Sequence, residues 1–421
     1  MNNNCKAAVS QTDITPDFPV EMIGAYREDN KAYGIHYPLS AQILLFENKK
    51  AYYCLITIDS LGLTTALSNE LRSKVAKALG TVSSSIMLNY SHTHSAPSPM
   101  SPLNGRRYFL LLCEKVISGI NDALGKLQPC LVSWAVGETE IGENRREGCN
   151  TVDKRLGALQ IVNAVTLKPM AVLLRVCAHA NILMSHSSKL SSDYFGTARE
   201  KISELFGCPV MLMQGAAGNI KPSGVDKIAG GDEADVERIA NDLLQSAMKL
   251  RFTPKRVTHL RMMEKEIPMY SDVPLEEEAR RIAEKSGMDA AGWLDECERL
   301  RKNGEITQVQ SDSIHFLFLN EGCICGVPDE IFCELSLAVS KQTNNPLLFF
   351  NGYTNGCTGY LPHREEWLKG GYETHDSYLI YHVFHGHVMP FQEDTADRLV
   401  KTVIEVWNSV KEEQRKVENY D

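Results

Sequence analysis

Two hydrophobic periods alternate along the chain. Apolar runs rich in β-branched and aromatic residues, AQILLFENKK (41–50) and AYYCLITID (51–59), read as strands joined as a hairpin at Asn48-Lys49-Lys50. A helical period then covers TALSNELRSKVAKAL (65–79) and closes near Gly80. SSIMLNY (84–90) is extended and leads into the loop SHTHSAPSP, and i, i+3, i+4 apolar spacing returns over 108–127. Strands are expected at 131–139, 156–164 and 170–178, a helix at 193–207, a strand at 209–214, a Gly-rich turn at 215–224 and a helix at 234–250. Residues 274–303 are dense in helix formers and charge, which reads as a helical pair inserted between strands with a solvated face. Strands at 313–320 and 323–327, a helix at 330–342 and a strand at 346–354 follow. A polar, aromatic-rich loop through 352–387 and a helix at 395–410 complete the pattern.

Strands and helices thus mix without strict βαβ alternation. That predicts a mixed α/β (α+β) fold, a large mixed β-sheet core flanked by helices, layered like a sandwich rather than closed as a regular barrel. With no internal repeat or Pro/Ser-rich linker, residues 1–421 read as a single domain carrying the helical insertion around 274–303. Composition is ordinary for a globular protein, at 43% hydrophobic and 23% charged. A formal charge of -9 without a clustered basic run argues against nucleic acid as a partner. No apolar run is long enough to span a membrane, and the first residues lack a signal-peptide pattern, so a cytoplasmic location is expected. The 12 cysteines are then expected to be reduced, mostly buried thiols. Cys323 and Cys325 have no second pair at zinc-finger spacing. Homo-oligomerisation is left open.

Chemistry enters at the strand exits. His92-Thr93-His94 follows the run 84–90, and in an extended segment positions i and i+2 share a face, so both imidazoles can address one point. Imidazole nitrogen is a standard zinc ligand, although two surface histidines are the plainer alternative. His179 ends the strand 170–178, the setting for a third ligand or for a satisfied, partly buried histidine. The turn GAAGNIKP, with Gly218, Asn219 and Lys221, lets backbone approach a ligand closely. It has neither P-loop nor GxSxG spacing. Glu330 stands where a strand gives way to a helix, and the helix dipole alone favours an acid there. Tyr353, Tyr360 and Tyr372 sit among glycines, where tyrosines also simply pack.

Taken in order, TDITP, MIGAY, GIHYPLSAQIL, TIDSLG, SHTHSAP, IGENR, His179 followed by SSD, QGAAGNIKP, VPDEIF and GYLPHREEWLKGGYE resemble the neutral/alkaline, non-lysosomal ceramidase family. The resemblance runs from about residue 8 to 375. It implies the ceramidase catalytic-domain fold and one catalytic Zn2+ held by His92, His179, Glu330 and Tyr360. It makes His94 a substrate-polarising or proton-handling group beside the metal, and places Arg145 and Tyr372 around the scissile bond. Metal-activated water would then cleave a linear N-acyl amide. Tyr372 or Arg145 would help stabilise the oxyanion, and His94 would protonate the leaving amine. Two departures stand out. Lys221, in Gly218-Asn219-Ile220-Lys221-Pro222, replaces the family's serine, and a cation there suits a carboxylate or phosphate on the substrate or is a simple surface lysine. The family's C-terminal immunoglobulin-like domain has no counterpart here. Both point to a small, water-soluble N-acyl or amide substrate rather than ceramide. A metal-dependent esterase or deacylase, or a non-catalytic ligand-binding homologue, is the alternative.

Overall fold

The computed structural model describes residues 5–184 and 187–418. Among them a nine-stranded sheet runs in the order Ile86–Tyr90, Ala51–Ile58, Ser40–Asn48, Cys5–Asp13, Gln128–Glu138, Arg155–Asn163, Pro169–Val176, Val210–Gln214, with Lys255–Arg256 pairing beside Gln128–Glu138. The hairpin forms as its pattern predicts, turning through Lys49 and Lys50 in left-handed backbone. Cys5–Asp13 pairs along its length with Ser40–Asn48. Its polar half, Ser10 to Asp13, hides it from a hydrophobicity reading.

Side chains alternate across this sheet, and the alternation builds layers. One face takes Ile43, Leu45, Ile56 and Leu88 against the helices Thr65–Leu79 and Gly105–Gly125. The same face, further along, takes Val172, Leu174 and Leu212 against the helices Asp193–Phe206 and Glu233–Ala247. The opposite face presents Leu44, Phe46, Leu55, Leu173 and Met213 to a second sheet, which answers with Leu317, Leu319 and Ile324. That sheet has four strands, ordered Leu260–Asp272, Thr307–Leu319, Gly322–Gly326, Leu348–Asn351. Its far face packs Phe316, Phe318 and Phe350 under the helices Cys333–Thr343 and Thr395–Glu418. The result is helix, sheet, sheet, helix: the layered mixed α+β arrangement expected from the pattern.

Three differences from the sequence reading have physical causes. The strand Leu260–Asp272 was not anticipated, because Glu264, Lys265, Glu266 and Pro268 interrupt its apolar positions. It is an edge strand, where a proline removes no needed ladder bond. Residues 364–385, expected as loop, form a short helix Arg364–Lys369, a π-turn Tyr372–Asp376 and a helix Ser377–His385. Glycines at 370, 371 and 386 punctuate them and mask the helical period. The helix expected from Glu330 starts at Cys333, since Glu330–Ile331 pairs instead with Tyr360–Leu361. The charged segment does form two helices, Glu276–Ser286 and Ala291–Lys302, between paired strands. No helix among the described residues is long and apolar enough to cross a membrane.

A candidate metal centre at converging strand ends

Three parallel strand pairs aim their C-terminal ends at one place: Ala51–Ile58 with Ile86–Tyr90, Pro169–Val176 with Val210–Gln214, and Gly322–Gly326 with Leu348–Asn351. The two ends of the large sheet meet there. The Asn89 amide donates to the Gln214 carbonyl (3.1 Å), and its oxygen accepts from the Gln214 N–H (2.8 Å). The second sheet joins them, with the Gly352 N–H donating to the Gly215 carbonyl and the Tyr90 N–H to the Tyr353 carbonyl. Residues just beyond strands far apart in sequence therefore become neighbours.

His92 leaves its strand with φ 61°, in left-handed backbone, so the H-T-H segment is a turn rather than the extended piece its spacing suggests. The turn still points both imidazoles one way, with ring centroids 4.9 Å apart. Thr93 faces the other way and donates to the Ser191 carbonyl, while Ser191 N–H donates to the Ser95 carbonyl. Part of the SSD stretch is thereby a latch for the histidine turn. His179 follows its strand, its ring 4.9 Å from that of His92. Gln214 ties the two exits together: its side-chain amide donates to the Ser91 (3.1 Å) and Ala178 (2.7 Å) carbonyls.

Glu330 arrives from the second sheet, and parallel pairing puts it beside Tyr360. One carboxylate oxygen lies 3.2 Å from His92 Nε2 and 3.3 Å from His179 Nε2. The tautomers follow from the opposite ring edges. Nδ1 of His92, His94 and His179 lies 2.6, 2.6 and 3.1 Å from the carbonyls of Leu61, Gly24 and Ile220. A carbonyl only accepts, so each Nδ1 carries the proton and each Nε2 presents a lone pair. Two imidazole lone pairs thus converge on a carboxylate oxygen, a repulsive arrangement unless a positive charge lies among them. A proton does so poorly on His179, whose burial pushes its pKa down to about 4, with Arg145 adding to the shift. The Nε2 atoms of His94 and His179 are buried without a hydrogen-bond partner. Donor atoms of His92, His94 and His179, and separately of His92, Glu330 and Cys357, lie close enough together to hold one ion. This donor set fits a divalent cation.

The remaining predicted residues fall into two groups. Tyr360 and Tyr372 line the same cavity as His92, His94 and Glu330, a cleft of about 720 Å³, their rings 6.1 Å apart. Arg145 sits behind it, donating to the Tyr360 hydroxyl (3.1 Å) and the Gly218 carbonyl (2.7 Å), with Nε 2.9 Å from Glu373. Gly218, Asn219 and Lys221 are not among the lining residues. A Cβ on Gly218 would sit 2.2 Å from the Glu330 carbonyl oxygen, so the glycine permits close packing beneath Glu330. The Asn219 side chain accepts from the Cys333 N–H and donates to Glu334. Lys221 pairs with Glu143 (2.9 Å) and donates to the Val225 carbonyl.

Cys357, which lines the cleft, carried no sequence signal of its own, and Tyr353, beside it, read only as one of the tyrosines among glycines. Cys357 Sγ lies 3.8 Å from the second oxygen of Glu330. Tyr353, in left-handed backbone, holds its ring tilted against that of His92 (centroids 4.7 Å apart) and donates to Glu330 (3.3 Å). Ile23, Leu61, Leu63, Leu67 and Met100 make part of the lining apolar, and Tyr381, Phe384 and His385 line the cleft as well.

Neither protein-family models nor curated proteins give a match to the sequence. Solved structures do. The neutral ceramidase from Pseudomonas aeruginosa matches with a TM-score of 0.72 at 16% identity, over 96% of this chain and 74% of that one. A ceramidase complexed with C2 matches equally well, with 97% of this chain and 76% of that chain covered at 16% identity. The fold is that of neutral ceramidase. At this identity the likeness concerns architecture, and within the ceramidase-like fold the cluster of His92, His179, Glu330 and Tyr360 lies where the converging strand ends meet.

Proposed function

We propose that the protein is a zinc-dependent hydrolase of linear N-acyl amides. The observation that carries the reading is the pair of Nε2 lone pairs, from His92 and His179, facing one Glu330 carboxylate oxygen in a cleft with an apolar wall. His92, His179, Glu330 and Tyr360 would hold the ion, and imidazole, carboxylate and phenol oxygen suit zinc. When bound, zinc supplies Lewis-acid charge and brings the pKa of water to near 7.

The chain's own residues account for the rest. His94 is neutral, since burial and the neighbouring His92 and His179 put its pKa well below the usual value. With its Nδ1 proton committed to Gly24, His94 Nε2 accepts the proton of the attacking water and delivers it to the leaving amine. Tyr372 donates its hydroxyl hydrogen to the developing oxyanion from the cavity side. Arg145 acts through Tyr360, fixing its hydroxyl. The leucine-rich wall takes the acyl chain of a small N-acyl substrate.

The test is hydrolysis of matched N-acyl amides and esters by the zinc-loaded protein, before and after chelation. Release of free acid and amine that stops on chelation and returns with zinc supports the proposal. Undiminished turnover by metal-free protein contradicts it, and cleavage of esters alone would make the enzyme an esterase built on the same site.

A further inference from the structure

The two oxygens of Glu330 face different donors. Oε2 meets Nε2 of His92 and His179 at 3.2 and 3.3 Å, while Oε1 lies 3.8 Å from Cys357 Sγ. The fold fixes the thiol there. The Cys357 N–H donates to the Leu63 carbonyl (2.9 Å), and Gly62, at φ 139°, packs so closely that a Cβ on it would come 2.4 Å from the cysteine Cβ. Cys357 lines the cleft, and of the 12 cysteines it and Cys149 are the two that are not buried. Donor atoms of His92, Glu330 and Cys357 lie within 4.8 Å of one another. With His92 Nδ1 committed to the Leu61 carbonyl, the sulfur and Oε1 are the donors left over.

We propose that Cys357 and Glu330 form a second metal site, for a soft divalent ion such as cadmium, beside the ion held by His92 and His179. The inference takes that first ion from the reading above and adds a site it does not use. Metal–sulfur and metal–oxygen bonds of about 2.3 and 2.1 Å put two tetrahedral ligands roughly 3.6 Å apart, and a larger ion spreads them somewhat further. The separation of 3.8 Å between Sγ and Oε1 therefore suits one ion better than a direct hydrogen bond. Glu330 then bridges, one oxygen to each ion, as carboxylates do in centres whose ions stand about 3.5–4 Å apart. A coordinating thiol gives up its proton, so the second cation meets two negative charges, which offsets repulsion from the first. Sulfur selects a soft ion, whereas the imidazole, carboxylate and phenol set suits zinc. Cleft water completes the shell.

The test titrates cadmium into reduced full-length protein carrying one equivalent of zinc. Ultraviolet thiolate-to-cadmium absorption is followed, and bound zinc and cadmium are counted after desalting. The expected result is one cadmium bound with a thiolate band while the zinc stays. Both should persist in Cys149→Ser and be lost in Cys357→Ser, which keeps its zinc. Absence of the band, a band unchanged in Cys357→Ser, cadmium that merely displaces zinc, or a thiolate bond to the first zinc overturns the inference. Cadmium held through Cys357 by protein that takes no zinc at the histidines keeps the cysteine site and removes the reading above. One tight zinc with no thiolate signal does the reverse.

Discussion

His92, His94 and His179 differ from a merely buried histidine in which nitrogen the fold has already occupied. In each, Nδ1 is committed to a backbone carbonyl and Nε2 faces the cleft, the orientation in which an outer hydrogen bond fixes the tautomer of a metal ligand. His315 shows the contrast. Its Nε2 donates to the Ser84 carbonyl and its Nδ1 accepts from the Asn355 amide, so both edges are satisfied and nothing remains to bind. In the proposed reading His94 handles the proton and is not a primary ligand, although its donor atom lies with those of His92 and His179. His94→Ala is therefore expected to keep its zinc, by metal analysis, while kcat falls about 10²–10⁴-fold. Loss of zinc in step with activity would make His94 a ligand instead.

At the scale of elements, the site depends on side chains that hold strand ends in register. Gln214 bonds the carbonyls that precede His92 and His179, so Gln214→Leu should weaken zinc binding by about 10–100-fold in a chelator competition, although Gln214 would touch no metal. Behind the site Arg175, buried between the sheets, pairs with Asp153 (2.8 Å) and donates to Asn351 and Ser336. Asp153→Ala strands that guanidinium and should cost about 3–5 kcal/mol in urea unfolding. Most elements were legible because strand and helix periods are strong between 40 and 250. The edge strand Leu260–Asp272 and the helices after Arg364 were not, because charges, a proline and glycines break their periods. The candidate ligands were legible only as an ordered set of motifs. Glu330 shows why: its strand pairing with Tyr360 is a tertiary fact, while locally it looks like an acid at a helix start. Cys357 and His385 lie in stretches with no pattern that marks a cleft wall.

At the scale of the whole molecule, buried neutral histidines make the fold sensitive to acid. Burial lowers His315 to about 3 and His387 to about 4, against roughly 6.5 in an unfolded chain. Between those values the unfolded state binds more protons, so the stability these groups contribute is full above about pH 6.5 and is lost as pH falls toward 4 and below. Asp193 and Asp312, raised by burial to about 6, oppose the trend over part of the window. The metal-free protein is expected to melt at lower temperature at pH 4.5 than at pH 7.5, with a smaller difference in His315→Gln. Equal melting temperatures would mean these rings already take up protons in the folded state. The central claim is that strand ends from two sheets assemble one cation site. Its most direct test is an anomalous difference map, recorded at the zinc edge, from crystals of the zinc-loaded protein. The account predicts a single strong peak about 2.0–2.2 Å from Nε2 of His92 and of His179, with Glu330 and Tyr360 oxygens completing the shell. A protein that carries zinc elsewhere, with no peak among these four side chains, would contradict it.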